Sequence, residues 1–162
     1  MSLPQYAELH AVSNFTFLRG ASHPEELVEQ AALLGYSALA ITDECSVSGV
    51  VRAHVAAKKA GLPQLIIGSE FRLNTGLRLV ALAQTHRGYT ALCKLITCGR
   101  RAAEKGSYRL TAADFSEALP DCLLLWVPDN QLLLTSDDSW ILDAFNGRLW
   151  IAVELFADGL QN

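Results

Sequence analysis

The sequence predicts an α/β fold with mainly parallel strands, forming a single domain over residues 1–162. Three observations carry this. Short apolar runs alternate with segments of helical periodicity almost throughout the chain. Two of these runs, Ala38 to Thr42 and Leu65 to Ile67, are continuously apolar, as strands covered on both faces are. Capping residues, Pro and Gly punctuate the chain where one type of segment gives way to the next.

Tyr6 to Ala11 reads as a short first strand. Ser22 is a cap for the helix that follows, with Pro24 in its first turn and Glu25 three residues on. Leu27, Val28, Ala31, Ala32 and Leu34 then recur at helical spacing up to Gly35. Ala38 to Thr42 is the second strand. Ser48 to Ala60 is the second helix, ended by Gly61 and Pro63, and Leu65 to Ile67 is the third strand. Phe71 to Leu73 and Leu77 to Ala83 flank Asn74-Thr75-Gly76, a hairpin signal. Gly88 to Glu104 reads as a long helix, and Thr111 to Leu119 as a short one capped by Thr111. Cys122 to Val127 is a strand, Asp137 to Phe145 a helix and Leu149 to Leu155 the last strand. The tally is about seven strands, two of them in a hairpin.

Composition narrows the function classes. The chain is 51% hydrophobic and 19% charged, a balance that folds rather than one that stays disordered. No apolar run is long enough to span a bilayer, and the N-terminus has neither a basic nor an apolar leader region, so no membrane partner and a cytoplasmic location are expected. The four cysteines, Cys45, Cys93, Cys98 and Cys122, form no C-x-x-C pair and read as small apolar residues in a reduced interior. The net charge of −4 argues against holding nucleic acid by overall electrostatics. A local exception is Arg100, Arg101, Lys105 and Arg109, read as a solvated helix end. Trp126, Trp140 and Trp150 read as core aromatics, Gly68 and Gly88 as positions of tight backbone, and His23, His54 and His86 as structural or solvated. No phosphate-cradling glycine loop occurs.

In such folds the carboxyl ends of the strands share one edge, and sites are built there. The residues at those ends are His10, Asp43-Glu44 and Glu70. Imidazole and carboxylates converging on one edge suit zinc, manganese or iron, and a bound metal activates water for hydrolysis. Hydrogen-bonded structural residues are the alternative reading of the same pattern.

The run Glu8 to Ser22, the run Ala40-Ile41-Thr42-Asp43-Glu44 followed by Ser48-Gly49, and the run Ile66-Ile67-Gly68-Ser69-Glu70-Phe71 resemble, in order, three motifs of the PHP (polymerase and histidinol phosphatase) family. Leu82-Ala83, Gly88-Tyr89, Leu92 and Leu95 resemble the segment that follows in C-family polymerase α subunits. The wording is similar to that of the error-prone branch of those polymerases. The resemblance implies a partial, distorted (β/α) barrel whose remainder, together with the polymerase regions, lies outside this chain. It also implies a role in damage-induced mutagenesis and translesion synthesis. The implied partners are the rest of the polymerase chain, DNA through that parent, and mutagenesis accessory proteins. Nucleotidyl transfer with magnesium belongs to the parent.

Family members hold up to three metals with His and carboxylate groups. Against that pattern, His10 and Glu70 match ligands, Glu44 stands where a His is usual, and Asp43 is adjacent. Val12 and Arg19 replace ligands outright, and a thiol expected after the strand at Leu123-Leu124-Leu125 is replaced by Trp126-Val127-Pro128. The expectation is therefore a structural, catalytically degenerate module with no catalytic or cofactor-binding residues of its own. His10, Glu70 and Glu44 remain as residual ligands for zinc, manganese or iron. A metal-dependent phosphoesterase, either phosphatase or proofreading 3'-5' exonuclease, is the alternative. An open sheet edge leads to expected self-association.

Overall fold

The computed structural model describes residues 5–116, 119–128 and 138–154. Six strands form one sheet in chain order. They are β1 (Ala7–Ala11), β2 (Ala38–Ile41), β3 (Leu65–Arg72), β4 (Arg78–Ala83), β5 (Cys122–Trp126) and β6 (Leu149–Ile151). The helices are α1 (Pro24–Leu33), α2 (Val50–Ala60), α3 (His86–Arg101), α4 (Ala112–Ser116) and α5 (Trp140–Ala144). β1, β2 and β3 pair in parallel, β4 is antiparallel to both β3 and β5, and β5 and β6 are again parallel. The carboxyl ends of β1, β2, β3, β5 and β6 thus share one edge with the start of β4.

Residues 65–67 and 71–73 are separate strands in the sequence reading; Leu73 lies just beyond the end of β3, but 65–67 and 71–72 are parts of that one strand. Gly68 is the reason. A Cβ there would meet the Ala81 carbonyl oxygen at 2.7 Å and the Thr42 methyl at 2.9 Å, so only glycine lets β3 run on between its two neighbours. Among the described residues the strand count is six rather than about seven.

Helix starts also shift. His23, not Ser22, precedes α1, and its backbone N–H donates to the Glu26 carboxylate at 2.7 Å. α3 begins two residues early because Thr85 Oγ1 accepts from the Gly88 N–H at 3.1 Å. Thr111 does not cap α4 as an acceptor; its N–H and hydroxyl both donate to Asp114 Oδ2. The C-terminal limits expected for α4 and β6, Leu119 and Leu155, were set across or into residues outside those described.

Alternation along the strands separates two apolar faces. Leu79 and Ala81 of β4 and Leu124 and Trp126 of β5 pack under α3, α4 and α5 with Phe71, Leu92, Leu95, Phe115 and Phe145. Phe71 and Phe115 meet edge to face, with centroids 5.4 Å apart, a geometry worth about 1 kcal/mol beyond burial. On the N-terminal side α1 and α2 cover β2 through Val28, Ala31, Ala53 and Ala57.

The opposite face, with Val80, Leu82 and Leu125, curls around a cavity of about 1020 Å³. Residues of both edge strands line it: Leu9 and His10 from β1, Trp150 and Ile151 from β6. Among the described residues the sheet is a half-barrel open at these edges. Trp150 is therefore 49% exposed rather than a core residue, because among the described residues no element covers its side of β6. Cys45 and Cys122 are buried as expected, burial pushing each thiol up to about 11. Cys98 is exposed.

Candidate functional site

Every residue singled out at the strand ends lies on the common edge, and an arginine lies among them. Glu70 is fully buried on β3, and its backbone bridges that of Glu44, just beyond β2. Arg19, in the loop between β1 and α1, donates to Glu70 with both terminal nitrogens, at 2.5 and 3.0 Å. Nη1 of Arg19 also donates to Glu44 Oε2 at 2.7 Å. This is a bidentate guanidinium–carboxylate pair extended to a second carboxylate.

The second oxygen of Glu44 accepts from the Tyr108 hydroxyl at 2.7 Å. Burial, reinforced by that carboxylate, holds the Tyr108 hydroxyl well above its ordinary range.

His10 lies on the other side of Glu70. Its Nε2 is 2.8 Å from Glu70 Oε2, and its Nδ1 is 2.8 Å from Glu154 Oε1. A neutral imidazole donates from one nitrogen only, while both partners here are acceptors, so the pair of contacts suits the imidazolium. Glu154 follows β6 and also accepts from Arg78 Nη2, at the start of β4, at 2.6 Å. The result is a row of alternating charge across the strand ends: Glu44, Arg19, Glu70, His10, Glu154 and Arg78. The His10–Glu154 contact also ties the two edge strands of the half-barrel together.

The row dictates the electrostatics. Burial alone would push the Glu70 carboxyl up, but the hydrogen bonds and charges of His10 and Arg19 outweigh it and bring it down to about 2. The two carboxylates hold the Arg19 guanidinium above even its usual range.

Asp43 is placed differently from the sequence expectation. Its carboxylate is fully buried and accepts from the Ser13 N–H at 2.7 Å, the Ser13 hydroxyl at 2.8 Å and the Thr16 hydroxyl at 2.7 Å. It pins the loop that delivers Arg19 and does not join the row. Trp126 and Val127, in the stretch after Leu125 where the resemblance led to the expectation of a thiol, are both buried. Arg100, read as a solvated helix end, is exposed in the last turn of α3 and also donates to the backbone carbonyls of Cys45 and Glu44, both at 3.2 Å, while lying over the Tyr108 ring. It fixes the turn that carries Glu44.

Sequence reasoning missed Glu154, Arg78 and Tyr108. Glu154 had a signal: it is the first charged residue after the apolar run Leu149 to Val153, at a strand end like the others. Arg78 and Tyr108 had none, since one opens an antiparallel strand and the other sits in a loop. Among the described residues, no group of three or more His, Cys, Asp or Glu side chains is arranged to hold a metal ion.

Comparison with known proteins follows the same lines. The PHP domain matches residues 8–126. A protein named error-prone DNA polymerase from Dechloromonas aromatica is 59% identical over 97% of this chain, and one of the same name from Methylococcus capsulatus is 56% identical over 95%. The chain spans only 16% and 15% of those relatives' length. A crystal structure described as a metal-dependent phosphoesterase, from Bifidobacterium adolescentis, superposes with a TM-score of 0.62 at 16% identity, covering 91% of this chain and 76% of that one. That likeness shows the fold, a partial PHP-type barrel. By its ordered motifs, its strand-end residues and its half-barrel, the chain belongs to the PHP domain family.

Proposed function

We propose that this chain is the PHP segment of an error-prone DNA polymerase acting in damage-induced mutagenesis and translesion synthesis, and that its strand-end site is structural rather than hydrolytic. The observation that carries the second point is the position of Arg19. Its guanidinium occupies the place between Glu44 and Glu70 that a metal would need, and supplies the positive charge those carboxylates require. His10 has both ring nitrogens committed to carboxylates, so it offers no free lone pair to a cation. A zinc, manganese or iron ion does not fit these side chains without displacing Arg19.

The 56–59% identity to proteins named error-prone DNA polymerase, over nearly the whole chain, supports the first point. In that reading the chain is cytoplasmic. Its partners are the rest of the polymerase polypeptide, DNA held by that parent, and mutagenesis accessory proteins. Nucleotidyl transfer with magnesium takes place in regions beyond this segment.

Elemental analysis tests the site. The chain is loaded with manganese, zinc and iron and then freed of loosely held ions. The expected result is no stoichiometric metal in the unaltered chain and uptake in Arg19→Ala, where the guanidinium no longer excludes a cation. Metal-dependent phosphoester hydrolysis by the unaltered chain, abolished by His10→Ala, would overturn the reading in favour of a working phosphoesterase. DNA synthesis by the long polypeptide that contains this segment tests the parent activity.

A further inference from the structure

The whole-chain charge conceals a strong segregation. Residues 84–110 contain six of the 13 Lys and Arg and one of the 17 Asp and Glu, which makes that segment net +5 and the rest of the chain net −9. α3 runs through this segment and holds no acidic residue. Arg87, Lys94 and Arg101 follow one another at intervals of seven on α3, and all three are exposed. Seven residues advance a helix by about 10.5 Å with only about 20° of drift, so the three cations form one stripe. Arg109, whose N–H donates to the Gly99 carbonyl at 3.1 Å, lies beside the last turn and extends it.

Helix-end electrostatics does not explain the stripe. The macrodipole favours Arg101 in the last turn, but it disfavours Arg87 in the first and is indifferent to Lys94 in the middle. Nor does a direct ion pair neutralise the cations: among the described residues none of Arg87, Lys94, Arg101 and Arg109 is in one. Hydrogen bonds from Thr111 and Cys98, and behind them the charge of Arg109, do hold the Asp114 carboxyl below its ordinary range. The nearby acids are engaged otherwise: Asp114 accepts from Thr111 and Cys98, and Asp121 from Thr85. Glu104 is the one acid of the segment, exposed in the turn beyond α3.

We propose that the outer face of α3 is a nucleic-acid contact that grips the phosphate backbone through Arg87, Lys94, Arg101 and Arg109. Charge complementarity selects a polyanion. The segment's net +5 against net −9 for the rest of the chain favours a densely and uniformly charged phosphodiester backbone over a protein of mixed charge. The choice of DNA as the occupant rests on the polymerase reading above. The contact carries no sequence information, since it reaches only backbone charge.

The test is fluorescence anisotropy of the chain with labelled single-stranded and duplex oligonucleotides over a sodium chloride series. Four phosphate contacts give a log-log salt slope of about −3.6 on duplex and about −2.8 on a single strand. Arg87→Gln/Lys94→Gln/Arg101→Gln is expected to flatten the duplex slope by about 3, with circular dichroism and melting unchanged. Lys58→Gln/Lys59→Gln on α2 is expected to bind like the unaltered chain. The proposal is overturned if the triple variant binds DNA as the unaltered chain does, or if the chain shows no salt-dependent binding. It is also overturned if polyglutamate at equal charge displaces the oligonucleotide, which would make the face a docking surface for an acidic protein. Failure here, beside DNA synthesis by the long polypeptide, refutes this face alone. A long polypeptide without synthesis refutes the polymerase reading instead.

Discussion

Replacing Arg19 with Met keeps most of the side chain's apolar stem and removes the cation at the centre of the charge row. The size of the effect follows from Glu70. Lowering its carboxyl from 4.5 to about 2 is worth roughly 3 kcal/mol of native stability at neutral pH. His10 and Arg19 share that stabilisation, and His10 remains in the variant. The Arg19 side chain is 38% exposed, so solvent screens part of its contribution. The expected loss for Arg19→Met is about 1.5–2 kcal/mol, or a fall in melting temperature of about 3–8 °C. Because the folded carboxyl is depressed, its stabilisation is fully present above about pH 4.5 and is lost as pH falls through about 2. In the variant, Glu70 titrates nearer its ordinary value. Urea unfolding at a series of pH values should therefore show the full gap between the two proteins at pH 7, narrowing below about pH 4. Equal urea midpoints at pH 7, or a gap that stays constant down to pH 2.5, would refute the reasoning that Arg19 stabilises an ionised, buried Glu70.

Other perturbations have equally definite outcomes. Asp43→Asn turns an acceptor-only carboxylate, fully buried against three donors, into a group that places an amide N–H₂ against one of them; a loss of about 2 kcal/mol by urea unfolding is expected. Gly88→Ala puts a Cβ 2.3 Å from the Asp121 carbonyl oxygen, so the start of α3 must move off β5, lowering the melting temperature by several degrees for a cost of about 2 kcal/mol. Phe115→Ala empties a fully buried site and should cost about 3–5 kcal/mol, whereas Trp150→Ser, at a half-exposed site on an edge strand, should change stability by well under 1 kcal/mol; comparable losses would contradict the assignment of the core. The open edges at β1 and β6 predict concentration-dependent self-association, and a monodisperse monomer at high concentration in light scattering would count against it.

Local pattern was enough for the order of elements and for the strand-end positions of His10, Glu44 and Glu70, because apolar period and capping chemistry act over a few residues. The expectation that Val12 and Arg19 replace metal ligands came from the resemblance to the PHP motifs rather than from local pattern. What Arg19 does instead depended on the fold. Its partners Glu44 and Glu70 are 25 and 51 residues away, and only the loop pinned by Asp43 brings the guanidinium onto them. His10 meets Glu154 across 144 residues, a contact made by the curl of the sheet rather than by any sequence spacing. Tertiary packing likewise merged residues 65–67 and 71–72 into β3, fixed Arg100 to the Cys45 and Glu44 carbonyls, and left Trp150 facing an open cavity. Hydrophobic period states which face of an element is apolar. It does not state what covers that face, and a barrel only half closed covers some faces and leaves others bare. The cations of α3 show both sides of the matter: their interval of seven is written in the sequence, while their exposure and want of ion pairs among the described residues are properties of the folded surface.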